Sequence, residues 1–453
     1  MSKLAKTSPA LLLLISYCLA IALGAALLLM PFSTVAGHLS AMDALFTATS
    51  AVCVTGLTVV DTGSAFTLTG QLIILTLIQL GGLGIMTFSV ALFLSLKKRV
   101  PYRHRRAMQD VFAASPRRDI HNLVKSVFLF TLLAEAAGAG LLFAHFHAGH
   151  PAGRALYLAV FHSISAFCNA GFALFPDSLM SHRDSLLVNF TVGGLIVLGG
   201  LGFPVVYELF QRFRGRGGGK RLSLNSKVVL STTGVLIAAG AVIFALLEEG
   251  HSGMPFWSGE FWLTSFFQSI TARTAGFNTV DMAGLGTATL TFITFLMFFG
   301  ASPGSCGGGL KTTTLAVLTL YSIGRLRRRP LVNMFKKTVP AEYVGKAISL
   351  FLLSISLIGL AMFLLLVAQE PNFSGASPNR PFLTYLFETV SAFGTVGLSM
   401  GITSGLDVVG KALIVLLMLV GRLGVPSFTY LLLGGDSNKQ RGPHYAEERL
   451  MLG

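Results

Sequence analysis

The stretch "SAVCVTGLTVVDTG", residues 50–63, separates two long apolar runs and decides how the whole chain is read. "LLLLISYCLAIALGAALLLMPF" from Leu11 precedes it and "QLIILTLIQLGGLGIMTFSVALFLSL" from Gln71 follows. Each run exceeds the roughly 20 residues that a bilayer crossing needs. The stretch itself holds two glycines, three threonines and an aspartate, which suit neither a helix interior nor an exposure to lipid. The first run ends "LLLMPF" without a small-residue cleavage site, so it reads as a first spanning helix rather than a removed leader.

The same signature returns three times. Gly56, Gly171, Gly276 and Gly397 align, at spacings of 115, 105 and 121 residues. Ten positions earlier stand Phe46, Phe161, Phe266 and Phe387; six earlier, Ser50, Ser165, Ile270 and Ser391; five earlier, Ala51, Ala166, Thr271 and Ala392. Leu57, Phe172, Phe277 and Leu398 follow the glycines. Each copy is preceded by about a dozen mostly apolar residues, such as "ALYLAVFHSISAF", too few to cross a membrane and suited to a re-entrant helix. A second match lies in the later helix of each unit, at "GGLGIM" (Gly81), "GGLGFP" (Gly199), "GGLKTT" (Gly308) and "GRLGVP" (Gly421). The third is the most distant from its glycine because "GASPGSCG" (Gly300–Gly307) interrupts the helix.

Composition agrees. The 453 residues are 53% hydrophobic and 12% charged, against about 25% charged in soluble domains. The net charge of +15 is concentrated in "KKRVPYRHRRAMQD", "QRFRGRGGGKR" and "RLRRRP", between hydrophobic pairs, as the positive-inside rule places cytoplasmic loops. Opposite loops carry Asp61, Asp177, Asp184, Glu249, Glu260, Asp281 and Glu370. Topology rather than nucleic-acid binding therefore accounts for the charge, although "SLKKRV" and "GRLRRRP" could also dock a cytosolic partner or anionic lipid. Cys18, Cys53, Cys168 and Cys306 form no metal or disulfide pattern.

The predicted fold is an all-α integral membrane protein: eight transmembrane helices and four re-entrant pore helices in four pseudo-symmetric helix–pore–helix repeats around one central pore. Its segments are 1–97 (repeat 1), 98–212 (a basic cytoplasmic loop and repeat 2), 213–325 (repeat 3, with a gate loop at 300–311), 326–434 (repeat 4) and a cytoplasmic tail, 435–453. Non-helical backbone at membrane depth persists where protein or a water-filled cavity satisfies it. Four such loops on one axis present rings of carbonyls that can replace the hydration shell of a monovalent cation. Glycine lets the backbone turn its carbonyls inward, and each half-helix contributes about half a negative charge at its C-terminus.

The loops "CVTGL", "CNAGF", "RTAGF" and "GTVGL", with "GASPGSCGGGLKTTT" and "GRLGVPSF", resemble the ion-translocating subunit of the Trk/Ktr/HKT potassium-uptake superfamily, most closely its bacterial Ktr branch. The resemblance covers essentially the whole chain. It implies a filter at Val54, Thr55 and Gly56; Asn169, Ala170 and Gly171; Thr274, Ala275 and Gly276; and Thr395, Val396 and Gly397, holding potassium at its carbonyls. Four glycines imply potassium selectivity; serine in the first repeat goes with sodium conduction. It further implies potassium as substrate with no covalent cofactor, sodium as an activator in some members, a homodimer, and a cytosolic ring of nucleotide-binding RCK subunits. The location implied is the bacterial inner membrane, with both termini cytoplasmic. The gate loop comprises Gly300, Ser302, Pro303, Gly304, Ser305, Cys306, Gly307, Gly308, Gly309 and Lys311; Cys306 replaces a family threonine and so removes one hydroxyl contact. The resemblance places Arg422, charged within an apolar span, close below the filter, where it repels ions; a tether to an acidic group or to carbonyls such as those of the gate loop is the alternative, compatible with that role.

Other readings are weaker. "GASPG" matches a nucleophile elbow at Ser302, but the only later histidine is His444. "GSCGGGLKT" misplaces the lysine of a phosphate-binding loop. Neither supports an enzyme. Glu135 reads as a proton relay or a packing partner between repeats, and Glu388 and Arg273 as braces of the filter. A sodium- or proton-coupled carrier remains the alternative transport class; such carriers pair their repeats differently.

Overall fold

The computed structural model describes residues 9–84, 120–213, 222–251, 253, 255–329, 331–369 and 380–424. The basic run 97–110, "RGRGGGKR" (214–221), Glu370, "VPSF" and the tail lie outside these residues. Among the described residues the chain forms fourteen α-helices of eleven residues or more.

Repeat 1 comprises α1 (Pro9–Leu28), the pore helix α2 (Ala41–Cys53) and α3 (Leu68–Gly82). Repeat 2 comprises α4 (Ile120–Phe146), the pore helix α5 (Ala152–Phe167), α6 (Leu186–Gly200) and α7 (Phe203–Phe213). Repeat 3 comprises α8 (Leu224–Glu248), the pore helix α9 (Gly259–Thr271), α10 (Thr287–Phe298) and α11 (Thr312–Leu326). A two-stranded hairpin, β1 (Val332–Met334) against β2 (Lys337–Val339), leads into repeat 4: α12 (Ala341–Gln369), the pore helix α13 (Pro381–Gly394) and α14 (Val408–Leu423).

Helix starts follow capping chemistry. Ser40, Thr67, Ser185, Ser223, Ser258 and Asp407 accept hydrogen bonds from first-turn amides, and Pro381 opens α13. Among the described residues three helices are individually long and apolar enough to span a bilayer: Lys125–Phe146, Leu224–Glu248 and Ala341–Gln369. The pair α6–α7 qualifies jointly, bent by 103°. The pore helices, 13 to 16 residues long, rise roughly 20–24 Å, short of a hydrocarbon core.

The bend between α6 and α7 is absent from the sequence reading, which expected an interruption in repeat 3 alone. Gly202 supplies it, with φ of +88°. Gly84 and Gly424, at the ends of the matching segments in repeats 1 and 4, have φ of +74° and +82°. The second helix thus ends or breaks at the matching residues in repeats 1, 2 and 4.

Packing runs in a closed order. The pore helix of each repeat lies against the second helix of the repeat before it: α5 on α3, α9 on α6, α13 on α10, and α2 on α14. The last contact closes the circle, and the Asp43–Lys411 ion pair, 2.8 Å, reinforces it. Phe46 of the first repeat accordingly sits in a core with Phe387, Met418 and Val420 of the fourth.

A ring of four glycines above an intramembrane loop

Each pore helix ends three to five residues before its aligned glycine, and the chain turns there in the same way. Val54, Asn169, Thr274 and Thr395 adopt left-handed φ of 57°, 61°, 66° and 49°. Two residues on, Gly56, Gly171, Gly276 and Gly397 do so again, at 92°, 70°, 79° and 94°. A left-handed residue at every second position flips alternate peptide planes, so that successive carbonyls face one side. For a β-branched residue such as Val54 this conformation stores strain of about 1–3 kcal/mol. Nothing in the residue types announces it except Asn169, a side chain that tolerates the region.

Hydrogen bonds from the pore helices hold these turns. Thr55 N, Ala170 N and Val396 N donate to Ser50 O, Ser165 O and Ser391 O at 2.8, 2.7 and 2.8 Å. The Ser50 and Ser391 hydroxyls accept from Gly56 N and Gly397 N, each at 3.1 Å. Ser165 Oγ donates to Phe172 O at 2.7 Å. In repeat 3, where Ile270 has no hydroxyl, Thr271 Oγ1 donates to Phe277 O at 2.6 Å. The exception in the sequence pattern is thus a one-residue shift of the same device. The aromatic anchor shifts with it: Phe46, Phe161 and Phe387 are fully buried, whereas Phe266 is 37% exposed and Phe267 is buried in its place. The alignment of Phe266 with the other three is therefore corrected.

The four turns meet. A Cβ placed on Gly56 would overlap the carbonyl oxygen of Ala170 and stand 3.0 Å from Gly171 Cα. One on Gly171 would stand 2.8 Å from Ala275 O, and one on Gly276 would stand 2.6 Å from Val396 O. One on Gly397 would overlap Thr55 O and stand 3.0 Å from Gly56 Cα. Repeat 1 touches 2, 2 touches 3, 3 touches 4, and 4 returns to 1. The backbones approach so closely that no side chain fits between them.

Above the ring, the four glycines line one cavity of about 340 Å³ that Asp61, Asp177 and Asp281 also line. The pore helices place their C-terminal ends, partially negative, next to the ring. Carboxylates around a concave mouth concentrate cations. The acids were visible in the sequence as outer-loop residues; their convergence was not.

Beneath the ring lies the loop between α10 and α11. A parallel bridge between Phe299 and Leu310 closes its neck. Ser302 N and Cys306 N donate to Gly200 O and Gly199 O at 3.1 and 3.2 Å. Gly304 O accepts from Phe203 N at 3.0 Å, and Gly309 N donates to Gly421 O at 3.3 Å. Gly308 N donates to Thr395 Oγ1 at 2.9 Å, and Cys306 Sγ donates to Gly82 O at 3.2 Å. The loop therefore reaches the second-helix breaks of repeats 1, 2 and 4, crossing under the ring. Lys311 turns back onto Gly307 O and Gly308 O, 2.7 and 3.3 Å away, and Ser302 Oγ bonds Thr312 Oγ1 at 3.0 Å.

Arg422 donates to Cys306 O and to Gly81 O, and its Nε lies 3.3 Å from the Tyr17 hydroxyl. It binds the loop to repeat 1, the contact that a tether would make. Gly81, Gly199 and Gly421 admit the pore-helix carbonyls of Val52, Phe167 and Phe393, so their equivalence is real. Gly308 instead faces Thr395 of repeat 4. Gly300, 24 residues after Gly276 and facing Thr274, holds the corresponding place in repeat 3. The inserted loop displaced the match.

Three further polar residues fall into place. Gln79 of α3 donates to Glu135 of α4 at 3.2 Å, so Glu135 joins repeats 1 and 2. Glu388 accepts from Ser399 Oγ at 3.0 Å and from Thr403 Oγ1, bracing the strand that leaves the fourth turn. His162, not singled out in the sequence, accepts from Leu174 N at 3.2 Å and does the same in repeat 2. Arg273 is buried, and its Nε has no partner among the described residues.

Fold and site together define a helical membrane protein whose four repeats converge on one axis. A family model described as cation transport protein (TrkH) matches residues 12–434, and the chain belongs to that family. The Ktr system potassium uptake protein B of Vibrio alginolyticus is 39% identical over 423 residues, covering 93% of this chain and 90% of the relative. The potassium/sodium uptake protein NtpJ of Enterococcus hirae is 35% identical over 454 residues, covering 99% and 98%. The crystal structure of the potassium transporter TrkH from Vibrio parahaemolyticus matches with a TM-score of 0.74 at 20% identity, covering 97% of this chain and 88% of that one.

Proposed function

We propose that this chain takes up potassium across the cell membrane through a channel-like pore, without covalent chemistry. The carbonyls of residues 54–56, 169–171, 274–276 and 395–397 strip water from the ion. The loop at 300–311 closes the passage beneath them. One observation carries the reading: the four glycine turns touch in cyclic order under an acidic mouth. The names of the relatives support potassium as the ion, and the potassium/sodium name of the Enterococcus relative supports sodium as a second ion or activator.

The finer reading follows from the resemblance. The protein works as a homodimer in the bacterial inner membrane, both termini inside, on a separate cytosolic RCK ring that moves the loop. Eight spans and four pore helices complete this topology. The test is rubidium and potassium uptake in a potassium-uptake-deficient bacterium expressing the chain, alone and with a candidate RCK partner. Growth rescue at low potassium, enhanced by the partner, is expected. Uptake of neither ion, with the chain present in the membrane, overturns the reading.

A further inference from the structure

The groove between α10, α11, α12 and α13 takes no part in the passage. It encloses about 800 Å³, walled by Phe295, Phe298, Leu318, Ile355, Leu386 and other apolar side chains with a few hydroxyls. A concavity of this kind at membrane depth forfeits dispersion contacts on every wall unless something fills it. Its long wall is α11, and that helix ends in a turn carrying Arg325, Arg327, Arg328 and Arg329, all exposed. Arg325 lies over the Tyr321 ring at 5.2 Å, and none of the four forms an ion pair among the described residues. The adjoining hairpin adds exposed Lys336 and Lys337. Across residues 312–369 the sole carboxylate is Glu342, which Lys346 occupies at 2.5 Å.

A carbon-lined trough ending at unpaired guanidinium groups has the polarity of an amphiphile with an anionic head. Arginine forks suit phosphate oxygens, and topology alone requires no trough beside them. We propose that this groove binds an anionic membrane phospholipid, one acyl chain along α11 and its phosphate at the arginine turn. The site is coupled to the loop. Phe299, on the groove wall, is also one side of the loop's neck, and its ring stacks on Phe351 at 6.4 Å. Phe298, beside it, faces Phe393 of the fourth pore helix at 6.3 Å. An acyl chain in the groove braces α11 and the neck in the arrangement seen, and so holds the loop under the ring.

The binding claim stands apart from the transport reading, so it is tested first without flux. The purified protein is incubated with phosphatidylcholine or phosphatidylglycerol, and retained lipid is counted by native mass spectrometry. Selective retention of phosphatidylglycerol is expected. Each cation near an anionic headgroup is worth roughly fivefold, so R327Q/R328Q/R329Q is expected to lose more than about tenfold in that retention. Gly359→Phe fills the trough from a position with nothing within 4 Å of an added Cβ, and is expected to lose retention with all arginines intact. Equal retention of both lipids, or full retention in Gly359→Phe, overturns the site. A changed oligomeric state in Gly359→Phe with unchanged lipid overturns it in favour of a protein–protein contact. In vesicles, rubidium flux is expected to fall as phosphatidylglycerol is added for the wild type and to stay level for Gly359→Phe. Parallel responses overturn the coupling to the loop.

Discussion

Replacing Gly56 by serine is expected to weaken discrimination between potassium and sodium. The backbone there has φ of 92°, a conformation that costs a residue with a Cβ about 1–3 kcal/mol. The new Cβ would overlap the Ala170 carbonyl oxygen and stand 3.0 Å from Gly171 Cα. Neither neighbour is a flexible side chain, so backbone must move. The Gly56 amide is held at 3.1 Å by Ser50 Oγ, which fixes the first turn against the pore helix. The displacement therefore falls on the second turn, and the Ala170 carbonyl withdraws from the ring. Set equal to a hydrogen bond to a charged group, one carbonyl–ion contact is worth about 1.5–3 kcal/mol net. Losing part of one among four amounts to roughly 1–2 kcal/mol of selectivity, close to tenfold. The assay is competition of sodium against rubidium uptake, in cells matched for the amount of protein in the membrane. An unchanged preference at normal abundance would refute the reasoning, because it would mean that the ring does not set ion choice.

The other expectations concern the loop, the mouth and the braces. Arg422→Gln removes the bonds to Cys306 O and Gly81 O and should raise basal rubidium flux severalfold in the absence of a partner; reduced abundance with unchanged flux per molecule would assign it a folding role alone. Deleting Pro303–Gly307 should raise flux further, and an unaltered flux would remove the loop from gating. Ser391→Ala strips the acceptor from Gly397 N and should cost about 1–3 kcal/mol of stability, read as a lower melting temperature in detergent, with Thr271→Val behaving alike in repeat 3. Asn at Asp61, Asp177 and Asp281 together should raise the half-saturating potassium concentration at low ionic strength, with the difference fading at high salt.

Much of this molecule is written along the chain. Hydropathy and the positive loops declare a membrane protein, because a bilayer imposes its thickness and its charge asymmetry on any sequence that crosses it. The glycine, serine and phenylalanine positions declare four equivalent units, because each turn needs a residue without a Cβ, a hydroxyl from its pore helix and a buried ring. Even the departure at Ile270–Thr271 was legible as a departure; that the hydroxyl and the aromatic anchor had both moved one residue along was not. The true register of repeat 3, with Gly300 rather than Gly308 opposite its glycine turn, was concealed by the inserted loop.

Tertiary structure alone decided the closure. A sequence can show that four turns are alike, but their cyclic contact depends on each pore helix lying against the preceding repeat, an arrangement set by packing between residues far apart in the chain. The left-handed Val54 and Thr395 are imposed by that packing and not by their own preferences. Arg422 is the clearest instance. Its type and position say only that a charge lies in an apolar helix; which carbonyls it satisfies, from a loop more than a hundred residues away and from another repeat, is a property of the assembled ring.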